Sequence, residues 1–154
     1  MKIKTGLILS AGFGKRVQPI TDNLPKPLIV YNNKTLLENT INFLIKLKIN
    51  KIKINVFYLK EKIVSFIEDK NFPANIEIVD DGETILGTGG GILSLINRSD
   101  EDDVLVINPD TIWDESYLNS ISAMEKIYFE KQIKNILLVV NNSSCFDKRF
   151  NGDF

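Results

Sequence analysis

The feature that most constrains this chain is a recurrence of short apolar runs bounded by turn residues: Gly6 to Leu9, Ile52 to Tyr58, Ile76 to Val79, Val104 to Ile107 and Ile136 to Val140. Most are β-branched and unbroken rather than alternating, as parallel strands covered on both faces are. Helical spacing fills the gaps. Leu37, Ile41 and Leu44 repeat at i, i+4, i+7; Ile63, Phe66 and Ile67 at i, i+3, i+4; Tyr117, Ile121, Met124 and Tyr128 continue the pattern. Strand alternating with helix predicts an α/β layered domain with a mostly parallel central sheet flanked by helices, whose ligands gather at the carboxyl ends of the strands. The loops after Leu9, Val79 and Ile107 are therefore the places to search.

A length of 154 residues fits one domain, residues 1–154, without an internal linker. A net charge of -1 supplies no electrostatic footprint for a polyanion, which argues against nucleic acid as a partner. The N-terminal run "GLILSAG" is too short to span a membrane and breaks on glycine, so the expected location is cytoplasmic, with no membrane partner. The chain has no histidine and one cysteine, Cys145, which removes histidine-based triads and histidine-ligated zinc from consideration. Oligomeric state leaves no mark that can be read here. The lysine-rich stretch from Lys46 to Lys53 reads as the solvated end of a helix and start of a strand. The last stretch, "NNSSCFDKRFNGDF", is polar and turn-rich and reaches Phe154 without completing an element, so the expectation is a chain cut short at its C-terminal side.

After the first apolar run comes Ser10-Ala11-Gly12-Phe13-Gly14-Lys15-Arg16. Val17 stands where a dinucleotide fingerprint needs its third glycine, and Leu9 where a Walker loop needs its first, so neither pattern fits. The physics of the stretch survives both failures. Small residues let backbone N–H groups approach an anion closely, Arg16 adds a fork of donors, and Lys26 presents a point charge on a segment stiffened by Pro25 and Pro27. Any one of these features alone could be turn geometry or a solvated cation.

Taken together, Leu9-Ser10-Ala11-Gly12-Phe13-Gly14-Lys15-Arg16, Pro19-Ile20-Thr21 and Pro25-Lys26-Pro27 resemble the signature of the sugar-1-phosphate nucleotidyltransferases. That family's opening runs approximately L-A-A-G-x-G-x-R-x-x-P-x-T and then P-K-P. Ser10, Lys15 and Val17 are small departures. The short N-acetylmuramate 1-phosphate uridylyltransferase type is the nearest resemblance by length, and "FNGDF" at Phe150 to Phe154 resembles the start of its sugar-side hairpin.

The resemblance implies a Rossmann-like nucleotide-diphospho-sugar transferase fold, incomplete at the C-terminus, and a set of roles. Leu9, Ala11, Gly12, Gly14 and Lys15 would lie along the nucleotide, while Arg16 and Lys26 would stabilise the phosphates and the departing pyrophosphate. A second glycine cluster, Leu86-Gly87-Thr88-Gly89-Gly90-Gly91, is similar to the family's base-contacting element, which assigns Thr88, Gly89 and Gly90 to the nucleotide; Thr88 could also cap a helix opening there. Gly87 in place of glutamate leans toward the guanylyl-transfer members. "VLVINPD" ends in Asp110, a carboxylate at a strand's carboxyl end and the candidate Mg²⁺ ligand, with Asp114 ranked behind it.

The implied partners are a nucleoside triphosphate and a sugar 1-phosphate, joined with release of pyrophosphate. Mannose 1-phosphate guanylyl transfer, glucose 1-phosphate thymidylyl or uridylyl transfer, a phosphocholine-type cytidylyltransferase and a non-catalytic nucleotide-binding domain remain open alternatives. The second metal ligand and the sugar contacts are expected beyond Phe154, so the chain alone should bind nucleotide with little turnover.

Overall fold

In the computed structural model, residues 2–141 and 143 are described, and the chain falls into two compact units, 1–115 and 116–154. Four strands of the first unit form one sheet: β1 (Thr5–Leu9), β4 (Lys51–Val56), β5 (Asn75–Asp80) and β6 (Val104–Ile107). Their order is β5-β4-β1-β6, and every pairing is parallel. A two-stranded ribbon of β2 (Val30–Tyr31) and β3 (Lys34–Thr35) leads into α1 (Leu36–Lys46). Helices α2 (Lys60–Asp69) and α3 (Gly87–Ile96) follow β4 and β5. The order reverses beside β1: the chain steps outward through β4 and β5, then crosses back to place β6 on the other side. Such a switch opens a crevice at the carboxyl ends of the strands.

Strand β1 runs continuously apolar because both of its faces are covered, whereas β4 and β5 carry Lys53 and Glu77 between their apolar residues. Successive residues of a strand point to opposite faces, yet Leu7 and Ile8 are both fully buried. On the Leu7 face, Val79 and Leu95 of α3 complete a cluster. On the other face α1 supplies Leu37, Ile41 and Leu44, and comes close enough that a Cβ on Gly6 would lie 2.8 Å from Leu44 Cδ1. A local signal starts this helix: the Thr35 hydroxyl accepts the Glu38 N–H at 3.0 Å, and glutamate at the third helical position completes the capping sequence. The lysine-rich stretch lies where it was expected, at the end of α1 and start of β4. Lys46, Lys51 and Lys53 pair at the surface with Glu115, Glu101 and Glu77.

The second unit contains α4 (Ser116–Lys131), the helix expected around Tyr117 to Tyr128. The strand expected over Ile136 to Val140 does not form. These residues are irregular, with Leu137 68% and Val140 65% exposed. An apolar β-branched run becomes a strand only when a neighbouring edge pairs with it, and no described strand does so here. The run expected to reach Tyr58 also stops early, at Val56. Leu59 takes a left-handed conformation (φ 49°) and turns the chain into α2. Cys145 and the "FNGDF" stretch lie outside the described residues.

Ile54 is fully buried in β4, whereas Leu93 on α3 is 58% exposed. In urea unfolding, Ile54→Ala should cost about 2–5 kcal/mol. Leu93→Ala should stay within about 0.5 kcal/mol of the parent chain.

Candidate functional site

At the carboxyl ends of the sheet, the segments after β1, β5 and β6, with Asn55 of β4, line a cavity of about 590 Å³, the size of a small-molecule site. Leu9, Ala11, Gly12, Gly14, Lys15, Arg16, Lys26, Thr88 and Asp110, all singled out from sequence, line it. Gly89 and Gly90 do not; they turn into α3 behind Gly87 and Thr88. Thr88 is not the helix cap either, because α3 already begins at Gly87 and its cap position falls on Leu86.

The glycine loop is seated from below. Gly14 has φ 66°, a left-handed conformation that glycine adopts without strain. A Cβ there would lie 2.8 Å from Thr21 Cγ2. Thr21 is 1% exposed, and its hydroxyl donates to the Gly14 carbonyl at 2.9 Å, so the proline-threonine segment forms the floor of the loop. Gly12 differs, since a Cβ on it would meet no atom of the protein within 4 Å. The space above Gly12 is open to a ligand.

Aromatic packing holds the loop from the side. Phe13 meets Phe57 edge-on at 5.8 Å and Tyr58 at 5.4 Å, while the Tyr58 hydroxyl lies 2.9 and 3.0 Å from the Thr21 and Asp22 carbonyl oxygens, donating toward them. Lys15 lies over the Phe13 ring, 5.4 Å from its centroid. Arg16 is exposed at the rim and makes no ion pair among the described residues.

Lys26 stands at the first position of a short 3₁₀ turn (Lys26–Leu28), anchored by the buried Pro27 and Leu28. Its Nζ reaches Asp110 Oδ2 at 2.5 Å, joining two residues 84 positions apart across the cavity. The Asp110 loop is braced in turn: the Trp113 indole N–H donates to the Asn108 carbonyl at 3.0 Å, and its ring stacks on Phe43 at 5.3 Å. Asp114 does not share this cavity; it lines a separate hollow with Phe43, Trp113 and Glu115. Among the described residues, no group of three or more carboxylate or thiol ligands comes together, so Asp110 is the cavity's acidic side chain.

Sequence reading missed Asn55, which lines the cavity while only 2% exposed. It also missed Trp113 and the contacts of Phe13. A polar residue closing an apolar strand, as Asn55 does in "KINV", was the available signal. Asn55 Oδ1 accepts the Ser10 N–H at 2.9 Å, and its Nδ2 donates to Asp81 Oδ2 at 2.8 Å. Asp80 and Asp81, adjacent at the end of β5, titrate in opposite directions. Hydrogen bonds from Lys60 and the Gly82 N–H hold Asp80 below the ordinary carboxylate range. Burial pushes Asp81 above it, against the Asn55 amide and the nearby Ser94 hydroxyl, which favour the anion. The second oxygen of Asp81 has no hydrogen-bond partner within ordinary geometry among the described residues.

A parallel sheet with its order reversed at β1 and a glycine-loop cavity at the reversal define an α/β protein with its ligand site at the strands' carboxyl ends. The nucleotidyl transferase family model matches residues 5–145, and the chain belongs to that family. It is 26% identical over 153 residues to N-acetylmuramate alpha-1-phosphate uridylyltransferase of Caulobacter vibrioides, covering 97% of this chain and 63% of that protein. It is 37% identical over 129 residues to the bifunctional protein GlmU of Methanocaldococcus jannaschii, covering 84% of this chain and 30% of that one. The crystal structure of HddC from Yersinia pseudotuberculosis complexed with GMP-PN superposes with a TM-score of 0.67 at 25% identity, over 79% of this chain and 54% of that one. The chain thus spans less than two thirds of each of these proteins. The fold is the nucleotide-diphospho-sugar transferase fold, as the resemblance implied.

Two stability measurements check this geometry. Gly14→Ala should lose about 1–3 kcal/mol, since it combines a left-handed backbone with a contact against buried Thr21. For Asp81, a folded pKa raised above the unfolded one means that its contribution to stability is greatest at low pH and is lost as pH rises through the folded value. Asp81→Asn should therefore melt higher than the parent chain at neutral pH. That gap should shrink as pH falls below the usual carboxylate range.

Proposed function

We propose that this chain is the nucleotide-binding portion of a sugar-1-phosphate nucleotidyltransferase, joining a nucleoside triphosphate to a sugar 1-phosphate with release of pyrophosphate. The observation that carries the reading is the convergence of Arg16, Lys26 and Asp110 on one cavity whose wall is the glycine loop. The family match and the named activities of the relatives support it.

In this reaction an oxygen of the sugar 1-phosphate attacks the α-phosphorus, and the bond to the pyrophosphate oxygen breaks as the new one forms. The attacking oxygen is already anionic near neutral pH, so no general base is required and a chain without histidine loses nothing by it. What the protein supplies is position and charge. Backbone N–H groups around Gly12 receive the nucleotide in the space its missing side chain leaves open. Arg16 neutralises charge on the triphosphate and the leaving pyrophosphate from the rim. Lys26, on its proline-stiffened turn, does the same from inside. Asp110 is the residue that would hold Mg²⁺, which when bound neutralises phosphate oxygens. A single carboxylate suits an ion that takes most of its ligands from phosphate and water.

The Lys26–Asp110 pair fits this role because it is easily opened. With side chains 27% and 40% exposed, it resembles surface pairs that contribute about 0–1 kcal/mol, so an incoming phosphate and cation can replace each partner at little cost.

The test is a thermal-shift panel with UTP, GTP, dTTP, CTP and ATP, each with and without Mg²⁺. A nucleotide at one hundred times its Kd should stabilise the chain by about 2.7 kcal/mol, because it binds only the folded state. Arg16→Ala should abolish most of the shift. Gly12→Val should abolish it while leaving ligand-free melting unchanged. Absence of any shift in the parent chain, or a shift that survives both substitutions, would refute the assignment.

A further inference from the structure

Asn55 has three attachments, and each leads to a different segment around the cavity. Its Oδ1 accepts from the Ser10 N–H at 2.9 Å, where the glycine loop leaves β1. Its Nδ2 donates to Asp81 at 2.8 Å, just past the end of β5. Helix α3 approaches so closely that a Cβ on Gly91 would lie 2.7 Å from that same nitrogen. The first residues of α3, Gly87 and Thr88, line the cavity opposite the glycine loop.

We infer that Asn55 is a positioning residue that sets the two glycine segments against each other, and with them the backbone groups that receive the nucleotide; the second half of this statement rests on the function proposed above. Asn55 is not itself a ligand contact. Both ends of its amide are engaged within the protein, and at 2% exposure it offers a ligand almost no surface. Asparagine suits the position because one planar group must accept from Ser10 and donate to Asp81. Aspartate there would set two carboxylates against each other. Leucine would fill the volume but leave the buried Ser10 N–H without an acceptor, a loss that the loop can relieve only by moving.

The measurement that does not depend on any ligand is amide hydrogen exchange by mass spectrometry on the full chain. Asn55→Leu should speed exchange at least tenfold in a peptide covering Ser10 to Gly14 while leaving β4 and β5 protected as in the parent. Asn55→Asp alone should behave the same way. The exchanged pair Asn55→Asp with Asp81→Asn should slow it again, because the new carboxylate accepts both the Ser10 N–H and the amide at position 81.

Binding provides the second measurement. Asn55→Leu should raise the Kd of the nucleotide selected by the thermal-shift panel, with Mg²⁺, by about tenfold, measured at a temperature where variant and parent are both folded. Unaltered loop exchange in both single variants would overturn the inference, as would failure of the double exchange to restore protection. If Asn55→Leu does not fold, the Asn55→Asp variant and the double exchange decide the matter by themselves. If the parent chain binds no nucleotide, the functional reading fails while the exchange data still test Asn55 as the joint.

Discussion

Burial of β1 on both faces is the constraint from which the rest of the first unit follows. With Leu7 and Ile8 each sealed from water, helices must lie on both sides of the sheet, and the strands must be joined by crossovers rather than hairpins. Parallel strands bring their carboxyl ends to one edge. Four loops therefore arrive at the same place from positions far apart in the chain. The crossover back to β6 leaves room between the loop after β1 and the loop after β6, where Lys26 and Asp110 meet. The cavity is a by-product of how the core is covered.

Within that edge, rigidity is distributed unevenly. The glycine loop rests on buried Thr21, is flanked by Phe13 against Phe57 and Tyr58, and is tied by Asn55 at its first residue. The Asp110 loop is fixed by a Trp113 hydrogen bond and an aromatic stack. Backbone positions are thus over-determined, whereas the charged side chains that reach into the cavity are held only by exposed contacts. A site built this way keeps its N–H groups in place while its charges stay free to change partners.

Much of this was legible in the sequence because the signals were local. Short apolar runs marked β1, β5 and β6, helical spacing marked α1, α2 and α4, and the fixed intervals from Leu9 to Pro27 carried the family resemblance. What stayed hidden depends on contacts between distant residues. Nothing in "KINV" states that Asn55 will face Ser10, 45 positions earlier, rather than solvent. The run Ile136 to Val140 has the composition of a strand, but pairing is a property of two segments, and composition reports on one. Gly89 and Gly90 share a sequence cluster with Gly87 but not its place beside the cavity. The cavity lining stops at Thr88, the second residue of α3, because the helix carries the following residues away.

The Lys26–Asp110 contact also bears on how quickly an anion arrives. A paired cation and carboxylate present a dipole, whose field fades faster with distance than that of a single charge. The whole chain adds a net charge of only -1. For the nucleotide proposed above, attraction toward the mouth therefore falls to Arg16 and Lys15 at the rim, and it is screened within roughly 10 Å at 0.1 M salt. On the function proposed above, encounter rate and its dependence on ionic strength belong to the rim, while residence draws on the rim's Arg16 and the interior's Lys26 together.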